Sequence, residues 1–280
     1  LRIDSLAYRP DICLAPRTRY YWKVRVWSET DYAESAAAWF ETAKMDEPWQ
    51  AQWITPDWED KAIHPILSKS FTLPASALNA RVYICGLGLY HLELNGDKVG
   101  NEHLTPYCNA YDQWLQYQTF DITGQLTEGE NRLAVMLGNG WYKGRYCGDG
   151  GRHSNLYGDR YALICEVRIT LQTGEELVLG SDESWTATRS PVLASEIYDG
   201  EIYDARLVGV GDTCDVRPIP MDTNKLQARR SLPVCINEER KPVAVLHTPA
   251  GEAVLDMGQN MVGWVRFKTQ APAGTEIHLQ

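Results

Sequence analysis

Apolar and polar residues alternate with a period of two along most of this chain. From Tyr20 to Trp27 the residues Trp22, Val24 and Val26 share one face and Tyr21, Lys23 and Arg25 the other, as successive side chains do along an extended strand. Leu163, Cys165, Val167, Ile169 and Leu171 alternate with Glu166, Arg168, Thr170 and Gln172. Thr173-Gly174 then turns the chain before Glu175 to Leu179, which predicts a hairpin. Tyr90, Leu92 and Leu94 run into Asn95-Gly96, the pair best suited to the positive φ angles of a type I′ turn. Further strands are expected at Ala80 to Cys85, Gln118 to Ile122, Asn131 to Leu137, Val243 to His247, Val262 to Lys268 and Glu276 to Leu279. Tyr32 to Phe40 is Ala-rich but short and uncapped, and no apolar set recurs at 3.6 residues over three turns. The pattern predicts an all-β chain of β-sandwich type.

Two breaks divide the pattern. Asp46-Glu47-Pro48-Trp49 follows the strand-like Trp39 to Thr42 and reads as a linker. A polar, Pro-containing stretch from Asp212 to about Pro242 separates a central block from a last β-rich segment. The outer pieces supply too few strands for free-standing sandwiches, so either they pack on the central block or the chain is cut from something longer; the final strand-like run, stopping at Gln280 without a turn, favours the cut.

Composition narrows the function. The 280 residues are 44% hydrophobic and 23% charged, those of a folded protein, and 27 Lys+Arg against 37 Asp+Glu leave a net charge of −10. A surface of that sign repels polyanions and argues against nucleic acid. No run approaches the roughly 18 consecutive apolar residues of a membrane-spanning helix. The seven cysteines are scattered and form no C-x-x-C pair; an odd, dispersed set reads as small buried thiols and leans toward a reducing, cytoplasmic setting.

Several segments bear on chemistry. Gly138-Asn139-Gly140-Trp141-Tyr142-Lys143-Gly144 follows a strand, but its last Gly falls one place late for a dinucleotide fingerprint and no helical pattern follows; a tight turn exposing two aromatics is expected. Tyr146 to Asp159 is a Gly-rich loop carrying Asp149, Asn155 and His153. Its carboxylate and amide oxygens suit Ca²⁺, and the neighbouring Trp141, Tyr142, Tyr146 and Tyr157 suit the apolar face of a sugar, although Gly, Asn and Asp also serve plain turns. Glu196, Asp199, Glu201 and Asp204 cluster closely enough in sequence to invite an acid/base pair such as Glu201 with Asp204, or simple pairing of Asp204 with Arg206. The histidines show no H-E-x-x-H spacing, G-x-S-x-G is absent, and no nucleophile emerges.

Taken in order, these motifs resemble the N-terminal non-catalytic region of bacterial α-L-rhamnosidases. The matching pieces are Pro16 to Trp27, Ala51-Gln52-Trp53-Ile54, Gly86 to Tyr90 with Leu94-Asn95-Gly96, Gly138 to Tyr142, Asn155 to Arg160, Gly200 to Arg206 and Asp256 to Trp264. The resemblance implies the end of a fibronectin-III-like domain over residues 1–45 and a jelly-roll β-sandwich similar to a carbohydrate-binding module over 46–215. A linker over 216–234 and the start of a second β-sandwich over 235–280 complete it. It places the family's inverting (α/α) catalytic barrel outside this chain, so the fragment alone is expected to be inactive; its partners would be rhamnose-containing glycans or glycosides and the catalytic domain of the same polypeptide. By resemblance to relatives whose central sandwich binds rhamnose with Ca²⁺, the sugar site would use Trp141, Tyr142, Asp149 and Asn155, and the metal site Asn101, Glu102 and Asn155. Relatives often carry Asp where this chain has Asn101, which would lower Ca²⁺ affinity. A structural scaffold without ligand is the alternative.

Overall fold

The computed structural model describes residues 10–146 and 153–279 and divides into two units, Leu1–Cys235 and Ile236–Gln280. At the front, β1 (Arg19–Trp22) pairs antiparallel with β4 (Ala38–Glu41), and β2 (Arg25–Trp27) with β3 (Tyr32–Glu34). The single strand expected from Tyr20 to Trp27 is thus two, interrupted at Lys23-Val24, because its halves pair with different partners.

The sandwich follows as β5 (Ile54–Pro56), β6 (Pro65–Leu73), β7 (Ala77–Leu87), β8 (Leu89–Leu94), β9 (Asp97–Lys98), β10 (Leu115–Asp121) and β11 (Gly129–Gly138). After the single-turn helix α1 (Gly140–Lys143) come β12 (Ala162–Leu171), β13 (Glu176–Gly180), β14 (Thr186–Arg189), β15 (Val192–Glu196), β16 (Gly200–Tyr203), β17 (Cys214–Pro218) and β18 (Leu226–Ala228). One layer runs β18-β10-β7-β12-β5-β17, with β13 also on β12; the other runs β17-β14-β6-β11-β8-β9, and β17 belongs to both. Val82, Ile84, Cys165 and Val167 of the first layer meet Leu67, Leu92, Leu133 and Val135 of the second in one core, the face-to-face arrangement that gives each strand one buried side. Residues 216–234, read from sequence as a linker, carry two of these strands: Val216 is buried in the core and Leu226–Ala228 extends the first layer in parallel with β10.

The first layer is covered on its other face as well. Tyr83, Cys85 and Leu87 of β7 and Ala162 and Ile164 of β12 form a second cluster with Trp53, Leu115 and Tyr117, against which Ala43, Trp49, Ala51, Met221 and Leu226 pack. Alternation alone would leave Glu166 on a polar face; instead it is fully buried, along with Lys44 from the front segment. The two make an ion pair of 2.5 Å, while Arg168 Nε and the Gln50 N–H also donate to the Glu166 carboxylate, at 2.7 and 2.6 Å. The Asn95-Gly96 turn has the expected positive φ at both residues, 56° and 87°.

In the second unit, β19 (Ala244–His247) pairs with β20 (Ala253–Asp256). Val262 to Lys268 and Glu276 to Leu279 alternate as strands do, yet no strand pairing forms there among the described residues, and Val262, Trp264 and Phe267 stand exposed. An alternating sequence becomes a strand only where another supplies its backbone hydrogen bonds.

Candidate functional site

The aromatics singled out in the sequence sit where β11 gives way to α1. Gly138 to Gly144 was expected as a tight turn; the chain instead makes one helical turn, entered through Gly140 at φ 56°. A Cβ on Gly140 would come within 2.7 Å of Leu89 Cγ, so the close approach of α1 to β8 requires glycine.

A partly buried polar network holds this turn. Asn139 Nδ2 donates to Glu196 Oε1 at 2.6 Å, and Asn139 Oδ1 accepts from the Tyr161 hydroxyl and from Lys143 Nζ. Glu196 Oε2 accepts the Arg145 N–H at 3.0 Å. Beneath them His64 Nδ1 lies 3.2 Å from the Leu137 carbonyl and 2.9 Å from the Tyr161 hydroxyl. The carbonyl only accepts and Tyr161 gives its proton to Asn139, so Nδ1 carries the hydrogen. Burial holds His64 below its ordinary pKa of 6.5, keeping it neutral, and burial likewise lowers Lys143.

On this base stands an aromatic shelf. Trp141 Nε1 donates to the Tyr198 hydroxyl at 3.3 Å; the Arg145 guanidinium lies 5.2 Å from the Tyr198 ring and forms two hydrogen bonds to Asp199, at 3.0 and 2.9 Å. Tyr142 is half-buried, edge-on to Tyr111 at 5.3 Å, and Tyr111 lies 5.1 Å from Tyr157, which in turn meets Tyr146 at 6.4 Å. Gly158 lets the Tyr142 hydroxyl lie where any side chain's Cβ would be. Tyr146 and Tyr198 keep faces toward solvent, 37% and 42% exposed.

Of the expected sugar residues, Trp141, Tyr142 and Asn155 share this region: the Asn155 N–H donates to the Lys143 carbonyl at 2.9 Å, with φ 59°. Asp149 lies outside the described residues. Asn101 and Glu102 sit in the loop after β9. There Glu102 pairs with Arg229, accepts the Tyr107 hydroxyl at 2.6 Å and bridges to Cys235 through its backbone; Asn101 is exposed. Among the described residues no hydrogen bond joins this cluster to Asn155, and no three His, Cys, Asp or Glu side chains gather as a metal site would need. With a guanidinium already on its carboxylate, Glu102 does not fit a Ca²⁺ ligand as placed. In the pair Glu201 and Asp204, Asp204 is engaged by Arg206 and could not serve as the acid. Two hydrogen bonds from the Arg206 side chain and one from its N–H pull the half-buried Asp204 carboxyl down to about 2, so it stays ionised and holds no proton to donate near neutral pH.

Sequence reasoning missed Asn139, His64, Tyr161 and Lys143 as supports of the shelf. Their signal was faint: Asn139 and Lys143 lay in the Gly138 to Gly144 motif, but nothing local tied them to His64, 75 positions earlier than Asn139. Tyr111 and Tyr198 were likewise brought in by folding alone.

A two-layered β-sandwich with a small β-unit before it and a β-hairpin after it, carrying an aromatic shelf at one end, defines a multi-part β-rich protein. A family model described as the alpha-L-rhamnosidase N-terminal domain matches residues 75–238. A Rha78A-like N-terminal immunoglobulin domain matches residues 5–46, and a bacterial alpha-L-rhamnosidase concanavalin-like domain matches 246–280. An alpha-L-rhamnosidase of Streptomyces avermitilis is 33% identical over 274 residues, covering 91% of this chain and 26% of that protein. The crystal structure of an alpha-L-rhamnosidase from Aspergillus terreus superposes with a TM-score of 0.82 at 33% identity, over 90% of this chain and 31% of that one. A Streptomyces avermitilis alpha-L-rhamnosidase complexed with L-rhamnose shares the fold, with a TM-score of 0.78 at 22% identity, covering 89% of this chain and 42% of that one. The chain belongs to the α-L-rhamnosidase N-terminal domain family, and it spans a quarter to a third of the length of the curated relatives it matches.

Proposed function

We propose that this chain is the accessory N-terminal part of an enzyme that releases terminal α-L-rhamnosyl groups, with the inverting catalytic barrel on further polypeptide, and that the α1 shelf binds L-rhamnose. The observation that carries the sugar site is the rigid aromatic shelf: Trp141 and Tyr198 are joined at 3.3 Å beside the Arg145–Asp199 pair, over a buried support. A deoxy sugar presents an apolar face with a methyl group, which suits stacking on aromatic rings, and hydroxyls, which suit the charged rim. Asn155, anchored to Lys143, stands at the same end and would complete the rim with Asp149.

Calorimetric titration of the whole chain with L-rhamnose tests this. Saturable heat with a Kd of about 1 mM, equivalent to about −4 kcal/mol, is expected, and Trp141→Ala should abolish it. Running the titration again after chelation separates a Ca²⁺-dependent site from a metal-free one. No heat at tens of millimolar sugar would leave the region as a scaffold, a reading favoured by the fact that Trp141 and Arg145 already have partners within the protein.

A further inference from the structure

The front hairpins expose four aromatic rings on one face. Tyr21 of β1 stands opposite Trp39 of β4, and Trp27 of β2 opposite Tyr32 of β3; on the same face Arg19 stands opposite Glu41 and Arg25 opposite Glu34. Lys23 joins this face, since its ammonium reaches Glu34 at 3.0 Å beside Arg25 at 2.7 Å. Along the chain the face therefore reads ion pair, aromatic pair, ion pair, aromatic pair. Tyr21 is 69% exposed, Trp27 65%, Tyr32 57% and Trp39 56%. Two of the rings are nonetheless held in place. The Arg19 guanidinium lies 4.1 Å from the Trp39 ring and Arg25 4.8 Å from Tyr32. Arg19 pairs with Glu41 at 3.0 Å, and Arg81 of β7 holds Glu41 at 2.7 Å, which ties the first aromatic pair to the sandwich.

The two faces of the hairpins differ in kind, and the difference identifies the ligand. The opposite face presents Trp22, Val24, Val26, Ala33, Ala38 and Phe40, the apolar mixture of a protein core. At its paired positions the ring-bearing face has no aliphatic residue, and each of its charges, Arg19, Lys23, Arg25, Glu34 and Glu41, already lies in an ion pair. Arg81 and Asp121 adjoin it at one end and pair with each other, while Glu29 and Asp31 lie in the turn at the other. The surface is close to neutral, with little to draw in a polyanion. A protein partner laid over it would strip water from five charges. A saccharide would not: its C–H faces stack on the rings while its hydroxyls donate to the carboxylates and accept from the guanidiniums. Tyr21 and Trp27 are six residues apart, about 20 Å along an extended strand, which calls for a chain of sugars rather than a single one.

We propose that this face binds a neutral oligosaccharide laid along the hairpins, its sugar rings stacked on Tyr21 and Trp39 at one end and on Trp27 and Tyr32 at the other. The site shares no residue with the rhamnose shelf, so Trp141→Ala leaves it intact and the two proposals fail separately.

The test is calorimetric titration of the whole chain with cellohexaose, β-1,4-galactohexaose, the disaccharide of each and hexagalacturonate. A neutral hexasaccharide should bind at least about tenfold more tightly than its disaccharide, because only the longer chain engages both aromatic pairs. Its affinity should change less than about twofold between about 20 and 300 mM salt, and hexagalacturonate should bind no more tightly. Whichever neutral sugar binds better identifies the ring stereochemistry the face reads. Trp39→Ala and Trp27→Ala should each weaken binding at least about tenfold. Trp39→Phe, which keeps a ring, should recover most of it, and Phe267→Ala, an exposed ring in the second unit, should change nothing. Thermal melts check that each variant folds, and Tyr21→Ala replaces Trp39→Ala if that one does not. No binding of either hexasaccharide, equal affinity for long and short sugars, a preference for the uronate, or binding that persists in both alanine variants would overturn the proposal. So would sedimentation showing a dimer that Trp39→Ala abolishes, which would make the face a contact between copies of the chain.

Discussion

Replacing Glu166 with Gln perturbs the most deeply buried charge in the first unit, and its cost follows from the geometry. Glu166 accepts Lys44 Nζ at 2.5 Å, the Gln50 N–H at 2.6 Å and Arg168 Nε at 2.7 Å, and Lys44 is itself only 1% exposed, 5.1 Å from the Trp49 ring. Gln can still accept one or two of these bonds, but Lys44 loses the one carboxylate it pairs with among the described residues. Removing one partner of a buried pair costs about 3–5 kcal/mol. Lys44 can escape by giving up its proton, so at pH 7 the electrostatic penalty is bounded by the work of deprotonating an ordinary lysine, about 5 kcal/mol. Burial already lowers Lys44 from 10.5 while Glu166 opposes the shift, so the variant lowers it further. A lysine whose folded pKa is depressed binds fewer protons than it does unfolded, and stability therefore rises with pH toward 10.5, by about 1.4 kcal/mol per unit while Lys44 is neutral in the fold. Urea denaturation followed by the fluorescence of Trp49 and its neighbours should show E166Q destabilised by about 3–5 kcal/mol at pH 7 and much of the loss recovered at pH 9. The double variant K44M/E166L, which removes both charges, should lie well above E166Q. A loss under about 1 kcal/mol, or one indifferent to pH, would refute the assignment of a buried ion pair between the front segment and the sandwich.

Two further outcomes are expected. Gly158→Ala should drive its Cβ into the Tyr142 hydroxyl and cost about 1–3 kcal/mol, with Tyr142→Phe restoring part of it; thermal melts of the single and double variants read this directly. Because burial holds His64 below 6.5 in the fold, the unfolded chain takes up its proton first. Stability should therefore decline as pH falls below 6.5 and flatten below the folded value, whereas His64→Asn, although less stable throughout, should lose that slope in denaturation curves between about pH 4 and 8.

Much of the fold was legible in the sequence where local chemistry decides it. The Asn95-Gly96 turn, the hairpin of β12 and β13 and the strands of β7, β10 and β11 needed only alternation and turn residues. The shelf was half legible: Trp141 and Tyr142 were marked by composition, but the support under them joins residues from four separate parts of the chain. The burial of Glu166 was not legible, because alternation records which side chains share a face and not whether anything covers it.

The sequence by itself determined most strands of the sandwich, the Asn95-Gly96 turn and the family to which the chain belongs, because these depend on neighbours two to five residues apart and on ordered motifs. Tertiary structure alone decided which polar residues are buried. Lys44 meets Glu166 across 122 positions, and His64 comes beneath Asn139 through Tyr161, because packing a second layer on each face of a sheet removes water from groups whose local pattern promised solvent, and such groups must then find partners elsewhere in the chain.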